Sequence, residues 1–238
     1  MVDLTDSVIV FYSGGKDSAV VLDLAFRHFK HVYPVLMYYV PGLSFQEAIV
    51  EWAQTYYRTE VYKVPHFELS GMYRFGVFTK PDRAVRVTKI VDIYAHVREV
   101  FGCRWIMAGE RCADSTIRNA MIKKSGPIDP KRGRFFPLAF WTKAHVAAYI
   151  KARFLKLAPE SAILGSSFAG LVPKQLVAIK RFYPGDYSKI VSAFPLVEAA
   201  VVRFERQHAA GNKVSSLQSA DRPAQLNRRV PEQSAQDL

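Results

Sequence analysis

Only two cysteines occur in the chain of 238 residues, Cys103 and Cys112, and they do not form a C-x-x-C pair. One copy therefore cannot build a disulfide framework, a four-cysteine zinc site or a four-cysteine iron–sulfur site. No apolar run approaches the roughly 20 residues needed to cross a bilayer, and the opening Met1-Val2-Asp3-Leu4-Thr5-Asp6 is acidic where a secretory signal is basic. The expectation is a soluble, cytoplasmic protein without a membrane partner. Acidic residues are also scarce, with 21 Asp and Glu against 33 Lys and Arg, leaving a net charge of +12. The imbalance is concentrated between Arg111 and Lys156, where eleven basic residues face only Asp114 and Asp129. Such a field attracts polyanions, whether nucleotide phosphates, sulfate or nucleic acid, unless it is simply a solvated face.

Half of the residues are hydrophobic, enough for one substantial core. After Ala209 the composition turns to Ser, Gln, Asn, Pro and Arg without an aromatic residue. The expected organisation is a domain over residues 1–208, with a helical flank over about 157–208, and a disordered tail over 209–238.

The most informative stretch is Ser13-Gly14-Gly15-Lys16-Asp17-Ser18, set between the apolar run Val8-Ile9-Val10-Phe11-Tyr12 and a helical pattern from Ala19 to Phe29. Two glycines allow a tight turn and close approach to an anion, and the first free N–H groups of the helix point at it. Lys16 adds a full charge, Ser13 and Ser18 add hydroxyl donors, and Asp17 either caps the helix or meets a metal ion. The spacing differs from G-x-x-x-x-G-K-[ST].

Further strands are expected at 33–40, 61–64 and 105–108, and helices at about 45–57, 84–101, 143–154, 173–182 and 187–208. Ser44-Phe45-Gln46-Glu47 reads as a capping box, and Pro195 bends or splits the last helix. His28 and His31 read as the C-terminal residues of the first helix, favoured by its dipole. Residues 70–82 read as an irregular connection or flap. The alternation implies an α/β fold: an open, mainly parallel twisted sheet with helices on both faces and a helical C-terminal region. Ligands of such sheets sit at the carboxyl ends of the strands, which makes Tyr38 to Leu43 candidates to flank a base or ribose.

A second polar loop, Gly109-Glu110-Arg111-Cys112-Ala113-Asp114-Ser115-Thr116-Ile117-Arg118, follows the fourth strand. The guanidinium forks of Arg111 and Arg118 match phosphate or sulfate oxygens, or alternatively pair with Glu110 or Asp114. Ser115 or Asp114 can cap the helix that follows, and Cys112 is a small filler or a reactive thiol among cations.

The S-G-G-K-D-S spacing resembles the PP-loop of the adenine-nucleotide alpha-hydrolase superfamily. Followed by G-x-R with a serine and second arginine, and then by P-L-x-x-W-T-x-x-x-V-x-x-Y-I from Pro137 to Ile150, it is similar to the phosphoadenylyl sulfate (PAPS) reductase branch over roughly residues 7–155. The resemblance implies nucleotide binding by Ser13, Gly14, Gly15, Lys16, Asp17 and Ser18, with Tyr38 and Gly109 beside them, and catalytic contacts from Lys16, Asp17, Arg111 and Arg118. It implies ATP or PAPS as the nucleotide, with Mg²⁺ carried on it and no protein metal site. Trp141 and Thr142 look structural, fixing the entry of the helix from Lys143.

The chain also departs from that branch. Reductases of the family use a C-terminal E-C-G-[LI]-H cysteine, whereas nothing after Cys112 is a cysteine, and Leu164 to Leu171 stands where relatives hold one. The expected activity is therefore adenylyl transfer at the alpha phosphate, with pyrophosphate released and the acceptor unspecified. The alternatives are sulfonucleotide reduction through Cys112, and a non-catalytic nucleotide sensor or nucleic-acid-binding module using the basic 111–156 segment.

Overall fold

The protein is described by a computed structural model covering residues 4–158, 163, 168 and 170–220. A six-stranded sheet runs in the order β3-β2-β1-β4-β6-β5. It comprises β1 (Ser7–Phe11), β2 (His31–Tyr38), β3 (Tyr62–Pro65), β4 (Ile106–Met107), β5 (Ile128–Asp129) and β6 (Arg134–Phe135). Every pairing is parallel except that of β5 with β6. The α/β expectation is met, with a parallel core carrying one antiparallel edge strand.

Strand alternation sends side chains to two cores. Val8, Val10 and Leu36 join residues of α1 (Lys16–His28), α2 (Ser44–Tyr57) and α6 (Lys143–Arg153) on one face. Ile9 and Val35 meet Ile93 and Val97 of α4 (Ile90–Phe101) on the other. Asp23 locks α1 to α6 by accepting bonds from Tyr149 Oη at 2.7 Å and Arg153 Nε at 3.3 Å. Thr142 caps α6 as expected, its Oγ1 accepting from His145 N, and Trp141 packs on Tyr149.

Several local expectations are corrected. The Ser44–Glu47 capping box does not form, because Glu47 turns to Lys63. A residue 142 positions away caps α2 in its place: the Asp186 carboxylate accepts from Ser44 N at 2.8 Å and Ser44 Oγ at 2.6 Å. His31 opens β2, whereas His28 does end α1. Part of the connection expected at 70–82 is helix α3 (Phe67–Phe75), which ends at Gly76 in the left-handed region. The following helix begins at Ile90, where Asp92 Oδ2 accepts from Lys89 N, and its buried stripe is Ile93 and Val97 while Val87 and Val91 face solvent.

Helix α5 (Thr116–Ser125) lies between β4 and β5 along the chain, and α7 (Pro173–Phe182), α8 (Pro184–Ala193) and α9 (Val197–Ala220) form the helical flank. Pro195 falls between α8 and α9 and splits the helix expected over 187–208. This flank buries Leu176, Ile190, Phe194 and Val201 against Tyr39, Leu43, Phe45 and Leu69, closing one end of the strands' carboxyl edge. Helix α9 continues past the compositional shift at Ala209, so the 208/209 boundary is not a helix end. Residues 221–238 and most of the Leu164–Leu171 stretch lie outside the described residues. Among the described residues, no helix is long and apolar enough to cross a membrane.

Candidate functional site

The glycine loop leaves β1 at its carboxyl end and enters α1 directly. Gly14 has φ +73°, and a Cβ there would lie 2.9 Å from Ala158 Cβ and 3.0 Å from Ile49 Cγ2. Glycine is required both by conformation and by space. The chain beyond α6 pins this turn, since Ala158 N donates to Gly14 O at 3.1 Å. Gly15 is the N-cap of α1 and offers no side chain, so the helix opens without a protein cap. Ser18 holds the loop internally, its Oγ donating to Gly15 O at 2.9 Å and accepting from Ser13 N at 3.3 Å.

The second loop is brought against the first. Gly109 abuts α1, where a Cβ would stand 3.4 Å from both Asp17 Cβ and Val21 Cγ2. Ser115 is the N-cap of α5, accepting from Arg118 N. Lys16, Asp17, Arg111, Asp114 and Arg118 then form one alternating chain of charges. Lys16 Nζ lies 2.9 Å from Asp17 Oδ2, Arg111 Nε 3.4 Å from Asp17 Oδ1, Arg111 Nη2 2.6 Å from Asp114 Oδ1, and Arg118 Nη1 3.1 Å from Asp114 Oδ2.

The two arginines are therefore not equivalent. Arg111 is 1 % exposed and held between two carboxylates, whereas the side chains of Arg118 and Lys16 are 50 % and 49 % exposed. The pairing of both arginines with Asp114, left open by the sequence, is realised. Glu110 goes instead to Arg134. Arg132 and Arg153 are spent on Asp129 and Asp23, so the outward charge of the 111–156 segment is carried mainly by exposed lysines, Lys123, Lys124, Lys131, Lys143, Lys151 and Lys156.

A cavity of about 270 Å³ begins at Ser13 and runs along the end of β2. Phe11, Val35, Met37, Tyr39, Gln46, His66 and Phe168 complete its lining with Tyr12. Tyr38 is not among them and lines a separate recess with Leu36, Val40 and Lys63. The reason is strand parity: Leu36 and Tyr38 share one face, while Val35 and Met37 share the face on which the Ser13 cavity opens. Tyr39, one residue on, stacks on His66 with centroids 4.3 Å apart, and its hydroxyl donates to Glu68. Burial, reinforced by Glu68, holds that phenol well above its ordinary pKa. Burial also lowers the His66 pKa, outweighing the pull of Glu68, so the ring is neutral at pH 7. Tyr39 falls within the Tyr38–Leu43 stretch expected to flank the base, whereas Gln46 and His66 were missed by sequence reading: Gln46 was read only as part of a capping box, and no helix was expected to begin beside His66.

Cys103 lies in the core beside α4 and Cys112 against Ile122, Phe136 and Ala139, in separate clusters. Among the described residues no group of three or more His, Cys, Asp or Glu could hold a metal ion.

A mainly parallel sheet with an uncapped glycine loop at the end of its first strand and arginines at the end of its fourth defines a PP-loop nucleotide-binding protein. The chain belongs to the phosphoadenosine phosphosulfate reductase domain family, which matches residues 7–159, and so to the PP-loop adenine-nucleotide alpha-hydrolase superfamily. No curated protein sequence matches it. Similar solved structures include a PAPS reductase from Candida auris in complex with phosphate, 16 % identical over 66 % of this chain and 77 % of that one, TM-score 0.46. Others are a U34-tRNA thiolase from Methanococcus maripaludis (18 %, 81 % and 72 %, TM-score 0.42) and an NH3-dependent NAD synthetase from Campylobacter jejuni (14 %, 84 % and 85 %, TM-score 0.42).

Proposed function

We propose that the chain binds ATP or PAPS and, with ATP, acts at the alpha phosphate, transferring the adenylyl group to an acceptor and releasing pyrophosphate. The observation that carries this reading is the open N-terminus of α1 behind Gly14 and Gly15, with Lys16 and Arg118 exposed beside it. Backbone N–H groups and the helix dipole supply fixed partial charge to phosphate oxygens, and the two cations supply full charge where it develops during displacement. Lys16 and Arg118 touch the nucleotide. Arg111, being buried, acts by orienting Asp17 and Asp114, which in turn hold Lys16 and Arg118.

Asp17 is the carboxylate that fits a nucleotide-borne Mg²⁺. Its Oδ1 makes no hydrogen bond among the described residues, its one charged neighbour being Arg111 Nε at 3.4 Å, and a nucleotide-borne magnesium ion would need only one or two protein carboxylates. When bound, the ion would neutralise phosphate charge. Sulfonucleotide reduction through Cys112 gains little from the structure, since the residue packs into an apolar cluster.

Calorimetry with ATP and with PAPS, each with Mg²⁺, tests the reading, followed by pyrophosphate and sulfite assays. The expected result is ATP binding weakened about tenfold to a hundredfold by Lys16→Ala, the value of a lost charge-assisted hydrogen bond. Unaltered binding by that variant would sink the site assignment. Sulfite release from PAPS, abolished by Cys112→Ser, would replace adenylyl transfer with reduction.

A further inference from the structure

Gln46 is a polar side chain set at the mouth of α2, close to the phosphate loop. It sits in the first turn of α2, is 7 % exposed, and lines both the cavity that starts at Ser13 and the adjoining recess of Tyr38. Its side-chain amide makes no hydrogen bond to any described residue. The amide atoms are not sealed from solvent, so they are open to pair with a ligand that enters the cavity. The walls around it are apolar or aromatic: Phe11, Val35, Met37, Tyr39 and Phe168. Tyr39 and His66 already stack on one another, offering a flat aromatic flank. His66 Nδ1 is occupied, accepting from Glu68 N at 3.3 Å.

We infer that Gln46 is the base-reading residue of this protein, its amide pairing with the 6-amino group and adjacent ring nitrogen of an adenine held in the Ser13 cavity. The inference rests on the nucleotide-binding reading above and adds what distinguishes one purine from another. An amide presents one acceptor and one donor side by side, the complement of the adenine amino group and its neighbouring nitrogen. Guanine offers an oxo acceptor where adenine has the amino donor, so the Gln46 carbonyl oxygen then faces another acceptor on the N7 edge. The position fits the rest of the site, because Ser13 belongs to both the cavity and the phosphate loop and therefore joins base to phosphates.

The test couples a ligand change to a protein change. Binding of ATP and of purine riboside triphosphate, which lacks only the 6-amino group, is measured for the wild-type chain and for Gln46→Leu, with circular dichroism checking the fold. Expected is a preference for ATP of about tenfold or more in the wild type, the value of a good paired contact, and its collapse toward unity in the variant. An equal preference in both proteins overturns the inference while leaving the nucleotide site standing. So does a wild type that does not distinguish the two ligands, a result that needs no variant to fold. Gln46→Glu gives a second readout: its carboxylate still accepts from the 6-amino group but turns an acceptor toward the ring nitrogen, so ATP binding should weaken about tenfold or more relative to the wild type, and an unchanged affinity counts against Gln46. A wild-type chain that binds neither triphosphate overturns the nucleotide reading, and this inference with it.

Discussion

Arg111 and Arg118 stand seven residues apart in one loop, and the fold gives them opposite tasks. Arg111 is buried between Asp17 and Asp114, so replacing it leaves two carboxylates facing each other without their cation. Breaking a buried pair by removing one partner costs about 3–5 kcal/mol. Arg111→Met should accordingly lower the midpoint of thermal or urea unfolding, and nucleotide affinity should fall only as a consequence. Arg118→Ala should leave the unfolding free energy within about 0.5 kcal/mol of wild type, as expected of a half-exposed pair, while weakening nucleotide binding. A swap of these two outcomes would reverse the roles assigned to the pair. The sequence showed both arginines and named Asp114 as a possible partner, but exposure separates their roles, and exposure depends on how α5 and α1 pack. The turn at Gly14 and Gly15 was legible for the opposite reason: its shape is set by local conformation.

At the scale of elements, Asp186 shows how far local reading extends. The S-x-x-E pattern at Ser44 satisfies the rule for a capping box, yet the terminus of α2 is capped by a carboxylate from α8. A long-range partner leaves no periodic trace, so no window of sequence could have supplied it. Burial pushes the Asp186 carboxyl up, but bonds from Ser44 and Lys189 outweigh it, and its pKa lies below the ordinary carboxylate value. Because the folded pKa is depressed, the stabilisation is complete above the unfolded value near 3.8 and is lost as pH falls through the folded one. Asp186→Asn should therefore destabilise the chain at neutral pH by about 1–3 kcal/mol, the range for loss of charged hydrogen bonds. The difference from wild type should shrink in acid unfolding experiments below pH 4. A constant difference from pH 7 to pH 3 would remove Asp186 as the cause. Strand parity accounts for the Tyr38 and Tyr39 exchange, since shifting a strand's end by one residue moves each side chain to the other face.

At the scale of the molecule, the family match ends at residue 159 but the core does not. Tyr39, Leu43, Phe45 and Leu69 belong to the matched part, and their packing partners lie on α7, α8 and α9. A chain ended at residue 160 should expose that apolar face and aggregate or unfold, measured by sedimentation and circular dichroism. A soluble, cooperatively unfolding 1–160 fragment would show that the flank is an accessory. The parallel sheet itself was readable from alternating apolar runs and helical patterns, whereas the docking of the flank was not, because its helices carry no mark of the surface they cover. The net charge was equally visible but not its division: folding turns Arg134 and Arg153 toward acidic partners and leaves the lysines outside.

The bond from Ala158 N to Gly14 O ties the first loop of the domain to a residue made nearly 150 positions later. On the ribosome, residues 13–18 emerge early and still lack the contact that fixes their turn. The loop is completed only after the whole sheet and α6 have left the exit tunnel. The turn is thus finished late in synthesis, and a prematurely terminated chain carries the glycine loop without the bond that fixes its shape.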